Sequence, residues 1–228
     1  RVLGRKIDRV MQNATLVVAG NEYLAERART AGAKRVEILP SVVDADLYAP
    51  ALARASGFTI GWIGSPVTAP YLEQVRPALE MLTSGNQAKV SLIGAGDAIK
   101  WKNANVQILP WREEDEIQNI QQFDVGIMPL VDEPFERGKC GYKLIQYMAC
   151  GLSVIASPVG VNRQIVEHGV TGFLAESEQD WQKALIFLRE NPEKRREMGM
   201  AGRAKMEREY SLQAATPKLA SLLRSAGR

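Results

Sequence analysis

Residues 138–174, GKCGYKLIQYMACGLSVIASPVGVNRQIVEHGVTGFL, constrain the fold more than any other part of the chain. They read as a loop, a short helix, a buried strand, a glycine turn and a second short helix. A cation cluster, Arg137, Lys139 and Lys143, stands at the start of the first helix. A helix N-terminus presents unpaired N–H groups and partial positive charge. Lysines beside it make a site suited to a phosphate or diphosphate. Lys143 and Gln146 are three apart and share one helix face. The chemistry indicated is that of a phosphate-bearing ligand, not of a nucleophilic triad or a metal.

The same alternation runs through the rest of the chain. Apolar, β-branched runs at residues 15–19, 36–40, 58–63, 89–93, 106–109, 124–130 and 153–156 read as buried strands. Helical patterns fall at residues 1–13, 22–31, 71–82, 113–121, 181–189, 192–209 and 211–224. Acids in the first turn of the helix at 113–121 suit its dipole, and Pro192 suits a first helical turn. Residues 44–57 read as a linker. Strands alternating with helices predict an α/β fold, a Rossmann-like parallel sheet with helices on both faces. Ligands on such sheets sit at the carboxyl ends of the strands. The glycine loops after Ile63, Ile93 and Val159 gather at that edge.

Composition narrows the function classes. With 228 residues the chain can bury a substantial core. A net charge of +3 is too small to imply nucleic acid. No apolar run reaches the length of a membrane span, and no signal peptide is visible. Cys140 and Cys150 lack metal-ligand spacing and read as reduced cytosolic thiols. The single histidine, His168, excludes any mechanism that needs two imidazoles. It stands before Gly169 and reads as a capping or surface residue. A chain that begins with Arg1 is expected to be a piece of a longer protein.

Two glycine loops leave alternatives open. Gly94-Ala95-Gly96 follows a strand, but a dinucleotide fingerprint needs a glycine where Ile99 stands; a tight turn is the other reading. Gly64-Ser65-Pro66-Val67-Thr68 offers two hydroxyls and backbone amides to a phosphate, or else is a strand-to-helix turn with Ser65 or Thr68 as N-cap. The charged run at residues 194–209 reads as a solvated helix face, with Met198, Ala201 and Met206 toward the core.

At the cation-bearing segment and around it, the chain resembles the retaining nucleotide-sugar glycosyltransferases of family 4, which have the GT-B fold. The likeness lies in Val36-Glu37-Ile38-Leu39-Pro40 leading to Val43-Asp44, and in Gly126-Ile127-Met128-Pro129. It continues through Gly141-Tyr142-Lys143-Leu144-Ile145-Gln146-Tyr147-Met148-Ala149-Cys150-Gly151, Val154-Ile155-Ala156 and Gly172-Phe173-Leu174. The combination is specific; no one piece is.

The resemblance implies a GT-B C-terminal, donor-binding domain at residues 50–209. Residues 1–49 would be a remnant of the N-terminal acceptor domain with the interdomain linker, and residues 210–228 a C-terminal helix. It implies hexose transfer with retention, from a nucleotide diphosphate sugar to a glycan or lipid-linked acceptor, in polysaccharide biosynthesis. No cofactor or metal is implied. A cytoplasmic setting is expected, with peripheral membrane contact in the full enzyme. The fragment alone is expected to be inactive.

The resemblance also assigns residues. Gly64, Ser65, Thr68, Trp111, Arg112, Arg137, Gly138, Lys139, Gly141, Tyr142, Lys143 and Gln146 fall in the donor site. Gln146 stands where many members have a glutamate that hydrogen-bonds the ribose. The family pattern has two glutamates eight apart, and here those slots hold Gly138 and Gln146. Glu136 takes the first, catalytic role if the loop is shifted by two residues. The usual Arg and Lys after the first glycine loop are replaced near there by Ser65 and Thr68. A sugar-nucleotide epimerase or phosphorylase of the same fold stays open, as does a non-catalytic nucleotide-binding or scaffold module.

Overall fold

A computed structural model describes residues 2–51, 57–103 and 105–227. The chain opens with helix α1 (Val2–Asn13), strand β1 (Val17–Ala19), helix α2 (Glu22–Thr30) and strand β2 (Val36–Ile38). β1 and β2 pair in parallel as a separate two-stranded sheet. The linker that follows is partly described; residues 52–56 lie outside the described residues.

The main sheet has six strands: β3 (Thr59–Ile63), β4 (Lys89–Ile93), β5 (Val106–Leu109), β6 (Val125–Met128), β7 (Ser153–Ala156) and β8 (Gly172–Leu174). Their order is β5-β4-β3-β6-β7-β8, and each pair is parallel. The chain therefore winds outward from β3 in one direction and outward from β6 in the other. That places a topological switch point between β3 and β6, where a crevice opens at the carboxyl ends.

Helices cover both faces of the sheet. One face packs Ile60, Trp62, Val90 and Leu92 against α3 (Arg76–Ser84) and α8 (Glu178–Glu190). The other packs Ile63, Val154 and Ala156 against Leu144 and Met148 of α6 (Tyr142–Ala149) and Met206 of α9 (Pro192–Glu209). α8 begins with a capping box between Ser177 and Asp180, which satisfies donors a helix start leaves bare.

Across the switch point Gly61 pairs with Gly126. A Cβ on Gly61 would strike the Phe123 ring and one on Gly126 the Tyr147 ring. Both rings are fully buried and meet edge to face at 6.2 Å between centroids. The Tyr147 hydroxyl accepts the Ile63 N–H at 2.9 Å. Burial raises the Tyr147 pKa, so it stays a neutral phenol.

Several expectations from sequence need correction. The helix expected at residues 71–82 is a 3₁₀ turn, Ala69–Gln74, followed by α3, with a proline near the start of each. Pro77 has no N–H and cannot continue an α-helix from the turn before it. The helix at 113–121 is likewise a 3₁₀ turn, Glu113–Asp115, then α4 (Glu116–Ile120). The short helices α5 (Pro134–Arg137) and α7 (Asn162–Ile165) frame α6. β8 is a strand that three residues of sequence do not announce. As expected, Lys143 lies in the first turn of α6, which starts at Tyr142.

The last helix, α10 (Leu212–Ala226), returns to the N-terminal unit. Val43 and Ser211 form a bridge, and Lys218 donates to the Ile38 carbonyl at 2.7 Å. Arg203 of α9 donates to the carbonyls of Ala45, Tyr48 and Ala149, which ties the linker to α6.

Candidate functional site

Loops from four strand ends, those of β3, β4, β5 and β6, gather along the carboxyl edge of the sheet around the switch point. After β3 comes Gly64–Thr68. Its Ser65 N–H donates to Thr68 Oγ1 at 3.2 Å, and Thr68 Oγ1 donates to the Ser65 carbonyl at 3.1 Å. The Thr68 hydroxyl thus closes the turn on the Ser65 backbone, and it makes no side-chain cap bond to the following helix. After β4 comes Gly94, whose φ of +75 places it in the left-handed region. After β5 come Pro110 and Trp111. Gly64, Ser65, Pro66, Gly94, Gly96, Pro110 and Trp111 line an open cavity of about 340 Å³. The turn at Gly94-Ala95-Gly96 is one of its walls.

The loop after β6 carries the charged groups. Gly141 adopts φ +66 and starts α6, and its missing side chain lets Ile165 approach. Lys143 then points toward the β3 loop. Its ammonium lies 4.9 Å from the centroid of the Trp62 ring and 3.5 Å from Thr68 Oγ1. A Cβ on Gly64 would fall 2.9 Å from it. Among the described residues Lys143 has no carboxylate partner. Burial, with the nearby Lys139 charge, pushes its pKa down to about 8. An ammonium held out of water without a counter-charge suits an anion that arrives as a ligand.

Lys139 lies between two aromatic faces, 4.7 Å from the Phe135 centroid and 5.3 Å from that of Tyr71. Burial lowers its pKa and the Glu136 charge opposes the fall. Glu136 is 5% exposed and accepts a bond from the Tyr71 hydroxyl. Burial first, and that bond second, push Tyr71 up to about 12. Lys139, Tyr71, Glu136, Thr68 and Lys143 therefore form one connected group.

The other expected residues are held as follows. Arg137 pairs with Asp132 at 2.6 Å on the surface. Arg112 is exposed beside Trp111 and has no ion pair among the described residues. Tyr142 is exposed at the start of α6. Gly138 contributes its carbonyl, which accepts from Asn21. Gln146 is 2% exposed, and its amide donates to Glu116 Oε1 at 2.6 Å and to the Tyr48 hydroxyl at 3.0 Å. Glu116 also accepts from Tyr48 and, through Oε2, from the Trp111 indole N–H at 2.6 Å. His168 sits apart, with Nδ1 accepting the Leu174 N–H at 3.1 Å. No disulfide links Cys140, which is half-buried, and Cys150, which is buried. Among the described residues no group of His, Cys, Asp and Glu side chains is placed to hold a metal ion.

Comparison with known families matches residues 57–191, more than half of the chain, to the domain described as glycosyl transferases group 1. The chain belongs to that family. Solved structures share the fold of this chain. Sucrose-phosphate synthase (tll1590) from Thermosynechococcus elongatus superposes with a TM-score of 0.81 at 19% identity, over 98% of this chain and 61% of that one. Anabaena Alr3699/HepE in complex with UDP-glucose gives 0.82 at 21%, over 98% and 68%. A point mutant of S. aureus TarM, in complex with fondaparinux, alpha-GlcNAc-glycerol and UDP, gives 0.79 at 15%, over 97% and 46%. The chain thus spans roughly half to two thirds of the length of these structures. Curated proteins yield no match. No helix among the described residues is long and apolar enough to cross a membrane.

Three residues around the candidate site carry no local signal in the sequence. Glu116 is one of four consecutive acids, 113–116, and nothing local marks it. Tyr48 lies in the linker. Asn21 reads only as a turn residue, yet it caps α2 and bonds the loop that carries Lys139.

Proposed function

We propose that this chain is the donor-binding half of a retaining, family 4 hexosyltransferase. In this reading residues 50–209 bind the nucleotide diphosphate sugar. Residues 1–49 close the acceptor side, and residues 210–228 brace the two parts. The acceptor is a glycan or lipid-linked sugar, the setting is cytoplasmic with peripheral membrane contact, and no cofactor or metal takes part. The observation that carries the reading is the Lys143 ammonium at the switch point, which has no carboxylate partner among the described residues, beside the cavity walled by Gly64, Gly94 and Trp111. In this reading the base lies in that cavity. The diphosphate then reaches Lys143, Lys139 and the α6 N-terminus.

The UDP and UDP-glucose complexes of HepE support UDP as the first nucleotide to try. The transfer itself rests on holding donor and acceptor in line and on neutralising the leaving diphosphate. Lys143 and Lys139 supply that charge. Glu136, held by Tyr71 and close enough for its charge to act on Lys139, is assigned to the sugar.

Calorimetric titration with uridine, UMP, UDP and UDP-glucose, with chelator present, tests this. UDP is expected to bind, and Lys143→Ala is expected to weaken UDP far more than uridine. A hydrogen bond to a charged group is worth on the order of 1.5–3 kcal/mol. Silence across a panel of uridine, guanosine and adenosine diphosphates at millimolar concentration overturns the proposal. So do equal, small losses for uridine and UDP in Lys143→Ala.

A further inference from the structure

We infer that Glu116, not Gln146, reads the ribose of the bound nucleotide, and that Gln146 and Tyr48 are positioning residues for its carboxylate. The inference rests on the nucleoside diphosphate reading above. Base, ribose and diphosphate are joined in that order. A base in the cavity at Trp111 and a diphosphate at Lys143 therefore leave the ribose between those two residues. Glu116 is the carboxylate at that place. One of its donors, Trp111, walls the cavity. Another, Gln146, stands on α6 one turn below Lys143.

The bonding around Glu116 leaves it one task open. Oε1 accepts from both Gln146 and Tyr48, and Oε2 accepts from Trp111 alone. Two lone pairs per oxygen leave one acceptor site, on the Trp111 side. All three donors are neutral, and no Lys or Arg among the described residues pairs with Glu116. Its charge is therefore not spent on a cation and remains for a hydroxyl donor. Gln146 offers a ribose hydroxyl only its neutral amide oxygen, a weaker acceptor than the Glu116 carboxylate. It is 2% exposed and its amide nitrogen already makes both bonds described. Burial raises the Tyr48 pKa, with the bond to Glu116 adding to the rise, so Tyr48 stays a donor.

The experiment compares UDP with 2′-deoxy-UDP and 3′-deoxy-UDP by titration calorimetry on the full chain. One of the two deoxy ligands is expected to bind about 10- to 100-fold more weakly than UDP, as for a lost bond to a charged group. In Glu116→Gln that discrimination is expected to vanish, with UDP falling to the level of the deoxy ligand. Gln146→Met is expected to shrink the discrimination. A merely structural role would weaken all three ligands alike. UDP binding without discrimination in the unaltered chain overturns the inference and leaves the diphosphate reading intact. That arm needs no variant to fold. Discrimination that persists in Glu116→Gln overturns it too. Failure of UDP and every other nucleoside diphosphate to bind overturns both.

Discussion

Asn21 and Lys139 are 118 residues apart, yet the Asn21 amide donates to the Lys139 carbonyl at 3.0 Å and to the Gly138 carbonyl at 3.1 Å. The same side chain accepts the Leu24 N–H at 2.9 Å as the cap of α2. One buried residue of the N-terminal unit thus fixes a loop of the candidate diphosphate site.

Replacing Asn21 separates the two tasks. Ser caps a helix about as well as Asn, but it is too short to keep the bonds to the loop. Asn21→Ala is expected to lose about 1–3 kcal/mol of stability, from cap and tether together. Asn21→Ser is expected to recover the cap's share, roughly 1 kcal/mol, while still binding UDP more weakly. Urea unfolding and UDP titration on both variants check this. UDP affinity unchanged in Asn21→Ser removes the tether from the site.

Lys143 sets a pH dependence with a definite sign. Its folded pKa, about 8, lies below the ordinary 10.5, so the folded state binds fewer protons than the unfolded chain between those values. Stability therefore rises with pH across that window, and below about pH 8 the full penalty is present. Lys143→Met is expected to be more stable than the parent near pH 7 by about 3–3.5 kcal/mol, at roughly 1.4 kcal/mol per pKa unit. The gap should close toward pH 10.5. Bound diphosphate favours the ammonium, so UDP affinity is expected to fall as pH rises past 8, with proton uptake on binding. Parallel unfolding curves at several pH values, and calorimetry in two buffers of different ionisation heat, measure both effects.

Gly64 leaves room for Trp62 and for the Lys143 ammonium. A Cβ there would strike the Trp62 ring. Gly64→Ala is expected to cost about 1–3 kcal/mol as an overpacked contact, and to raise the Kd for UDP by displacing Lys143. Thermal unfolding and titration of that variant are the measurements. A fully stable Gly64→Ala with unchanged UDP affinity would show that the contact yields easily.

The Tyr147 hydroxyl meets the Ile63 N–H at the last residue of β3, where β3 and β6 diverge. Tyr147→Phe keeps the packing against Gly126 and Phe123 but strands a buried donor. The expected loss is about 1–3 kcal/mol. Hydrogen exchange should show the Ile63 amide losing protection more than the Ile60 amide, which lies deeper in the sheet.

The alternation of apolar runs with helical patterns determined the parallel sheet and its two helical layers. Those patterns are local, because a strand buried on both faces must be apolar throughout. The glycines after Ile63 and Ile93 and the lysines beside Gly141 marked the edge where the site lies. Two prolines and a run of acids were enough to misplace helix starts at residues 71 and 113. There, 3₁₀ and α turns compete within a few residues.

What the sequence could not decide was the pairing of distant side chains. Arg137 and Lys143 look alike as cations near one loop. Only the folded chain gives Arg137 an acid and leaves Lys143 without one among the described residues. Glu116 is indistinguishable from Glu113 and Glu114 until the turn of α4 brings it to Gln146, Tyr48 and Trp111, which come from three other parts of the chain. Periodicity and turn chemistry act over a few residues and are written in the sequence. A charge's partners are set by contacts across tens to hundreds of residues, and only the tertiary structure supplies those.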